Sequence, residues 1–263
     1  MASSFLLDHL RFFFGPHHCY SIHHLSNMEH QHQQEKEGRD IERVQTVLFL
    51  RHGVAKHNVK DELTGEKPNI CSPAFWDPPL LDRGMREALT VRERLLHVLR
   101  RVDLVITSPL TRCIQTANLV FFPGGNYDVP SSPPPMLCLE QVREAFGIHY
   151  PDKRRDKRLL QKHWPNVQFD PSMSDLDEQW SDKSRETLQD VVQRVGQFLE
   201  WLVKRNESFV FVVSHGVWIE SCFRAYFPEP LSGEQRVYNC DCFAGEIVSR
   251  RGSFVRLQNL RKI

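Results

Sequence analysis

The sequence predicts an α/β fold, a three-layer α/β/α sandwich around a mostly parallel central sheet. Short apolar runs alternate along the chain with stretches of helical periodicity, a pattern typical of parallel strands joined by crossover helices. Polar residues directly follow three of these runs, and that is where open α/β sheets bind their ligands. The length of 263 residues suits one substantial domain better than two.

Each element is predicted from its own hydrophobic pattern. Short apolar runs rich in β-branched and aromatic residues are typical of buried parallel strands, and apolar residues three and four apart indicate one buried helix face. The predicted order is a strand at residues 46–50, a helix at 85–99, a strand at 104–106, a helix starting near Pro109 and running past Ala117, an apolar stretch at 136–142, the longest amphipathic helix at 188–202 and a central strand at 209–213.

The first 43 residues differ in composition from the rest, and we expect a flexible N-terminal tail followed by one folded domain at residues 44–263. Asp8 and Arg11 interrupt the apolar part of this tail, which therefore makes a poor secretory signal. With one arginine before residue 28, the tail is also a weak candidate for organellar targeting.

Composition excludes several classes of partner. The net charge of +1 provides no global field for nucleic acid or a membrane surface, and no apolar stretch reaches the roughly 18 to 20 residues of a spanning helix. The seven cysteines are odd in number and form no CxxC pair, so neither a disulfide framework nor a zinc ribbon is indicated. We expect a cytoplasmic protein, and its oligomeric state cannot be read from the sequence.

Arginines and histidines are predicted to meet at the carboxyl edge of the sheet. Arg51 and His52 follow the first strand, Arg112 lies just after the second, and His215 follows the strand at 209–213. A neutral imidazole is a nucleophile, and its usual pKa of about 6.5 leaves it mostly unprotonated at pH 7. Guanidinium groups match phosphate oxygens in a planar, bidentate way. This set predicts phosphoryl transfer through a histidine.

Five sequence motifs follow one another along the chain. They are Arg51-His52-Gly53 with Asn58; Asp77-Pro78-Pro79-Leu80 with Gly84; Ser108-Pro109-Leu110 with Arg112, Thr116 and Ala117; Val142-Arg143-Glu144 with Gly147; and Val213-Ser214-His215-Gly216. In this order they resemble the motifs of the histidine-phosphatase superfamily, and most closely those of its plant- and fungal-type phosphoglycerate-mutase-like members. The resemblance covers roughly residues 44–250 and includes similar neighbourhoods at 152–155 and 238–240.

The resemblance implies a role for each matched polar residue. His52 would be the nucleophile that forms a phosphohistidine, and Glu144 would protonate the leaving oxygen and then activate water. His215 would complete the catalytic set. The residues expected to hold the phosphoryl oxygens are Arg51, Asn58, Arg112 and His215. The resemblance implies no metal or organic cofactor.

Three of the polar residues near these motifs have alternative interpretations. Glu140 lies four residues before Glu144 and could supply the acid instead. Asn58 could cap a turn, a position where Asn is common. His57 beside it is interpreted as an ordinary loop residue.

A dense basic segment at residues 153–162 follows the expected acid. It could be a solvated face paired with nearby acidic residues, or a lid that binds a second anionic group of the substrate. Its cations are Lys153, Arg154, Arg155, Lys157, Arg158 and Lys162.

We therefore predict a phosphomonoesterase whose partner is a small phosphorylated substrate. The alternative is a phosphoglycerate mutase, but residues 54–57 lack the Glu-Ser and Trp that cofactor-dependent mutases show there. A catalytically inactive phosphate-binding module is the third alternative. Such proteins usually lose a histidine or arginine of the pocket, and none is missing here.

Overall fold

A computed structural model describes residues 43–124, 133–227 and 236–263. The predicted tail at residues 1–43 lies outside the described residues except for Arg43, which begins the first strand.

The strands of the described chain form one seven-stranded sheet with the order β4-β3-β2-β5-β1-β6-β7. Neighbouring strands from β4 to β1 in this order are parallel, whereas β6 is antiparallel to both β1 and β7. The mostly parallel sheet is therefore confirmed. The strands are β1 (Arg43–Arg51), β2 (Leu104–Thr107), β3 (Met136–Cys138), β4 (Val167–Phe169), β5 (Phe209–Ser214), β6 (Cys242–Arg250) and β7 (Ser253–Lys262).

The α-helices of the described residues are α1 (Asp82–Leu99), α2 (Thr111–Phe121), α3 (Lys157–His163), α4 (Leu188–Leu202) and α5 (Gly216–Tyr226). Short 3₁₀ turns lie at Lys56–Asn58, Pro73–Phe75, Glu140–Val142 and Tyr150–Asp152. Within these described ranges, no helix is long and apolar enough to cross a bilayer.

The second helix, predicted to start near Pro109, begins at Thr111, because Leu110 has an extended backbone with ψ of 133°. One detail of the predicted helices is wrong, because the helix at 188–202 is not the longest: α1 has 18 residues and α4 has 15.

The helices cover both faces of the sheet. Side chains of α4 and α5 pack on one face in a core that includes Val47 and Phe49 of β1. Side chains of α1, α2 and α3 pack on the opposite face with Leu48 and Leu50. Because successive strand residues point to opposite faces, this alternation explains why β1 is a continuous apolar run, and it confirms the three-layer architecture.

Candidate active site

His52, Ser108 and His215 are the first residues after β1, β2 and β5, which are neighbours in the sheet. The hydrogen-bonded pairing of β1 with β5 continues one residue beyond the end of β1, because the amide of His52 donates to the carbonyl of Ser214 over 3.0 Å. The imidazole rings of His52 and His215 consequently lie with their centroids 5.1 Å apart. The two histidines predicted to meet at this edge do so.

The ring of His52 is held in one orientation by hydrogen bonds at both nitrogens. Nδ1 lies 2.7 Å from the carbonyl oxygen of Gly53, which can only accept, so Nδ1 carries the proton. Nε2 then keeps its lone pair and accepts from Nε of Arg112 over 3.1 Å. Burial lowers the pKa of His52 well below its usual value, and the charges of Arg112 and Arg51 lower it further. The ring is therefore neutral at neutral pH and its Nε2 is unprotonated, which a histidine nucleophile requires.

Arg112 is buried at the centre of the site. Its Nη1 donates to the carbonyl of Pro151 over 2.5 Å, and its Nη2 donates to Oδ1 of Asp152 over 3.0 Å. Nη2 also lies 3.1 Å from Nδ1 of His215. The guanidinium thereby contacts both histidines while a carboxylate balances its charge.

Asp77 holds the helix that carries Arg112. Its Oδ1 accepts from the amide of Thr111 over 2.9 Å, and its Oδ2 accepts from the Thr111 hydroxyl over 2.6 Å. Thr111 is the first residue of α2, where backbone amides lack partners within the helix. The aspartate of the D-P-P-L motif thus binds the first residue of α2 and positions Arg112 in the first turn of that helix.

Gly84, the last residue of the same motif, allows a close backbone approach. A Cβ at this position would lie 2.1 Å from the carbonyl oxygen of Val54, which is closer than any side chain permits. The loop that follows His52 therefore packs directly on the start of α1.

His215 is neutral and is oriented by two side chains. Because the guanidinium of Arg112 can only donate, Nδ1 of His215 is the acceptor in their contact. Its Nε2 then donates to Oγ of Ser108 over 2.8 Å. Burial lowers the pKa of His215 well below its usual value, and the charge of Arg112 adds to this effect.

Glu144 lies against the start of α5, where its carboxylate accepts from two backbone amides. These are the amides of Ala145, at 2.9 Å, and Val217, at 3.2 Å. Burial raises the pKa of Glu144 above its usual value, and the negative charge of Asp152 raises it further. A carboxyl group with a raised pKa can hold a proton and donate it, as a general acid must.

Glu140, the alternative acid, is engaged in a structural network. Its two oxygens accept from Nε of Arg154 over 2.5 Å and from Nη1 of Arg143 over 2.8 Å. Both arginines are buried. With both carboxylate oxygens paired in this way, Glu140 is a poorer candidate than Glu144.

Arg51 and Asn58, both expected to hold phosphoryl oxygens, differ in how their side chains are hydrogen-bonded. Nη1 of Arg51 donates to the carbonyl of Val237 over 2.7 Å, while its Nε is buried and has no partner within the described residues. An Nε–H group can only donate, so this atom is a candidate contact for an anion. Oδ1 of Asn58 accepts from the amide of Ala55 over 3.0 Å, so this side chain caps the 3₁₀ turn.

Two residues that orient the site were not predicted. Asp152 pairs with Arg112 and also accepts from Nη1 of Arg185 over 3.1 Å. Asn239 donates to the backbone carbonyl of His52 over 2.9 Å. Both lie in neighbourhoods that resemble the family, and that resemblance was the available signal, but their contacts join segments far apart in sequence.

The basic segment does not behave as one unit. Arg154 is 1% exposed, and its guanidinium donates to Glu140 and to several backbone carbonyls, so it belongs to the interior and not to a lid. Arg158 is exposed and lies 3.4 Å from the carboxylate of Asp175. Nζ of Lys153 lies 4.4 Å from the ring centroid of Trp180.

A family model described as histidine phosphatase superfamily (branch 1) matches residues 47–259. The chain belongs to the histidine phosphatase superfamily. This match spans all the strand ends that carry the site, and it confirms the family inferred from the five motifs.

Relatives of this histidine phosphatase superfamily member occur in plants and fungi. It is 28% identical over 239 residues to a phosphoglycerate mutase-like protein of Arabidopsis thaliana, with 80% of this chain and 87% of the relative covered. It is 24% identical over 205 residues to phosphomutase-like protein 3 of Candida albicans, covering 71% of this chain and 63% of the relative. Among solved structures, mycobacterial hydrolase 2 shares the fold, with 16% identity, a TM-score of 0.50 and coverage of 84% and 89%.

Proposed function

We propose that this member of the superfamily is a phosphomonoesterase that acts on a small phosphorylated compound through a phosphohistidine at His52. The observation that carries the proposal is the contact of Nε2 of His52 with Nε of Arg112. The lone pair of the nucleophile and a fixed donor for phosphate oxygens thereby meet at one point. Glu144, with its raised pKa, supplies the acid nearby.

The first half of the reaction transfers the phosphoryl group to the enzyme. The lone pair of Nε2 of His52 forms a bond to phosphorus while the bond from phosphorus to the ester oxygen breaks. The proton of Glu144 moves to the departing oxygen, which leaves as an alcohol. Nδ1 keeps its proton against the carbonyl of Gly53, which stabilises the positive charge that develops on the ring.

The second half returns the enzyme to its starting state. Glu144, now a carboxylate, takes a proton from water as the water oxygen bonds to phosphorus and the bond from phosphorus to Nε2 breaks. His52 recovers its lone pair, Glu144 recovers its proton, and inorganic phosphate leaves. The net reaction consumes one water for each ester.

The arginines stabilise the charge of the phosphoryl group during both steps. Arg112 already has its guanidinium plane fixed by Asp152 and the carbonyl of Pro151. When the substrate binds, the hydrogen bond from Nε of Arg112 to Nε2 of His52 is exchanged for one to a phosphoryl oxygen, which frees the lone pair of Nε2. Nε of Arg51, which is buried and has no partner among the described residues, adds a second donor. Asn58 can contribute only its amide nitrogen, because its oxygen caps the turn.

A mutase is the second candidate, because relatives are named as mutase-like. A mutase returns the phosphoryl group to the product and not to water. Residues 54–57 read Val-Ala-Lys-His and lack the residues that cofactor-dependent mutases show after the first histidine. This difference favours transfer to water.

An activity panel tests the choice between these functions. The full chain is incubated with a series of phosphorylated metabolites, and with 3-phosphoglycerate in the presence and absence of 2,3-bisphosphoglycerate. Alcohol and inorganic phosphate are expected in equal amounts, without dependence on bisphosphoglycerate or on added EDTA. Isomerised phosphoglycerate without phosphate release would indicate a mutase. Binding of phosphate without turnover of any compound would indicate an inactive module.

We also propose a cytoplasmic location. The six cysteines within the described residues are free thiols, and four of them are buried. Free thiols are usual where the compartment is reducing.

A further inference from the structure

His57 lies beside the nucleophile, in the 3₁₀ turn Lys56–Asn58 that follows β1. The ring centroids of His57 and His52 are 6.0 Å apart. The turn is closed by a hydrogen bond from the amide of Asn58 to the carbonyl of Ala55 and by the cap from Asn58. His57 is therefore held at the site by its own loop, and it is not the ordinary loop residue expected from the sequence.

Nδ1 of His57 is buried and has no hydrogen-bond partner in the part of the chain that the structure describes. Buried polar atoms in native proteins are nearly always hydrogen-bonded, so an exception indicates a missing partner. The proposed phosphoryl site is the neighbouring polar region. A phosphoryl oxygen bound there is a suitable acceptor.

The charges around His57 favour a neutral ring that donates a hydrogen bond. Burial, together with the positive charges of Arg112 and Arg51, lowers the pKa of His57 to about 2. A neutral imidazole still has one N–H, and either nitrogen can carry it. An anion near Nδ1 would select the tautomer with the proton on that atom.

We propose that His57 binds the transferred phosphoryl group, with Nδ1–H donating to one of its non-bridging oxygens. The inference rests on the proposed function, since it requires a phosphoryl group beside His52. It adds a third imidazole to the two expected from the motifs. His57 would increase affinity for phosphate and would take no part in proton transfer to the leaving group.

Calorimetric titration of the full chain with inorganic phosphate tests the inference. His57→Ala is expected to weaken phosphate binding by about tenfold or more, the usual effect of losing one hydrogen bond to a charged group. His57→Asn should restore most of the affinity, because its amide nitrogen can occupy the place of Nδ1, whereas His57→Gln places its amide nearer to Nε2. His97→Ala, at an exposed position of α1, is the control and should bind as the wild type does.

A second measurement uses only the wild-type protein, so it does not depend on whether a variant folds. In ¹H–¹⁵N spectra of histidine-labelled wild-type protein, added phosphate should move the Nδ1 resonance of His57 towards the chemical shift of the neutral tautomer that has its proton on Nδ1. Equal affinity in wild type and His57→Ala, or an unmoved resonance under saturating phosphate, would overturn the role of His57 while leaving a phosphohistidine at His52 intact. Failure of the wild type both to bind phosphate and to form a phosphohistidine would overturn the proposed function itself.

Discussion

Asp152 and Arg112 form a buried ion pair, with Oδ1 and Nη2 separated by 3.0 Å and side-chain exposures of 7% and 1%. The same guanidinium contacts both His52 and His215. The carboxylate therefore fixes the guanidinium that links His52, the proposed nucleophile, to His215. It also balances a positive charge that would otherwise be buried alone.

The ion pair predicts that Asp152→Asn is costly to both stability and activity. Removing one partner of a buried pair typically costs about 3–5 kcal/mol, because the other charge stays buried. Chemical denaturation should show a loss of this order, and kcat should fall because Arg112 loses its orientation. Asp156→Asn is the control, since Asp156 is exposed and makes no side-chain cap to α3. Equal stability of the two variants would contradict the role of Asp152.

Arg154 is predicted to stabilise the fold without selecting substrate. Its guanidinium is buried and paired with Glu140, so Arg154→Ala should lower the free energy of unfolding by about 3–5 kcal/mol. Arg158→Ala, at an exposed position, should change the free energy of unfolding by less than about 0.5 kcal/mol. A stable Arg154→Ala variant with a higher KM only for bisphosphates would instead support a lid.

Glu144 is predicted to set the alkaline limb of the activity profile. A general acid works only while protonated, and the pKa of Glu144 is raised, so kcat/KM for an alkyl phosphate should fall as pH rises through a value above that of an ordinary glutamate. This limb should be absent in Glu144→Gln and should shift to lower pH in Asp152→Asn, which removes the neighbouring negative charge. Profiles must be corrected for ionisation of the substrate phosphate.

The leaving group gives an independent check on Glu144. Glu144→Gln should slow alkyl phosphates far more than aryl phosphates, whose leaving oxygen needs little protonation. Glu140→Gln should destabilise the protein, by disturbing Arg143 and Arg154, without this selectivity. The opposite pattern would identify Glu140 as the acid.

The lowered pKa values of His52 and His215 predict that the protein loses stability in mild acid. Their pKa values are lowered in the folded state, so below about pH 6.5 the unfolded chain binds protons that the folded chain does not. Stability should therefore be fully present above pH 6.5 and fall as pH decreases, by up to about 1.4 kcal/mol per pH unit for each histidine. Unfolding of wild type and His215→Gln between pH 7.5 and 5 measures this. An unchanged slope in the variant would contradict a buried, neutral His215.

The strands predicted most clearly from sequence are those whose side chains face apolar surroundings on both sides of the sheet, whereas the helices were predicted from the periodicity of one buried face. Residues 46–50 and 209–213 contact a helical layer on each face of the sheet, so their apolar character is continuous and recognisable. β7 was not predicted, because it lies at the sheet edge with most of its residues exposed or partly exposed. Its sequence therefore has no buried run.

The positions of His52 and His215 were predictable, because each directly follows a recognisable apolar strand. The environment of a charged side chain was not predictable where its ion-pair partner lies far away in the sequence. Arg154 and Arg158 are equivalent in local sequence, yet one is buried with Glu140 and the other is exposed. The proximity of His57 to His52 was not predicted, because the position of its ring depends on the tertiary path of the loop.

Trapping phosphate on His52 tests the phosphohistidine mechanism most directly. The full chain is mixed briefly with a ³²P-labelled phosphomonoester, quenched without acid, and digested for mass spectrometry. Label that is stable in base, labile in acid, located on His52 and absent from His52→Ala is the expected result. Label on another residue, label that survives in His52→Ala, or turnover with no enzyme-bound phosphate at any quench time would contradict the mechanism.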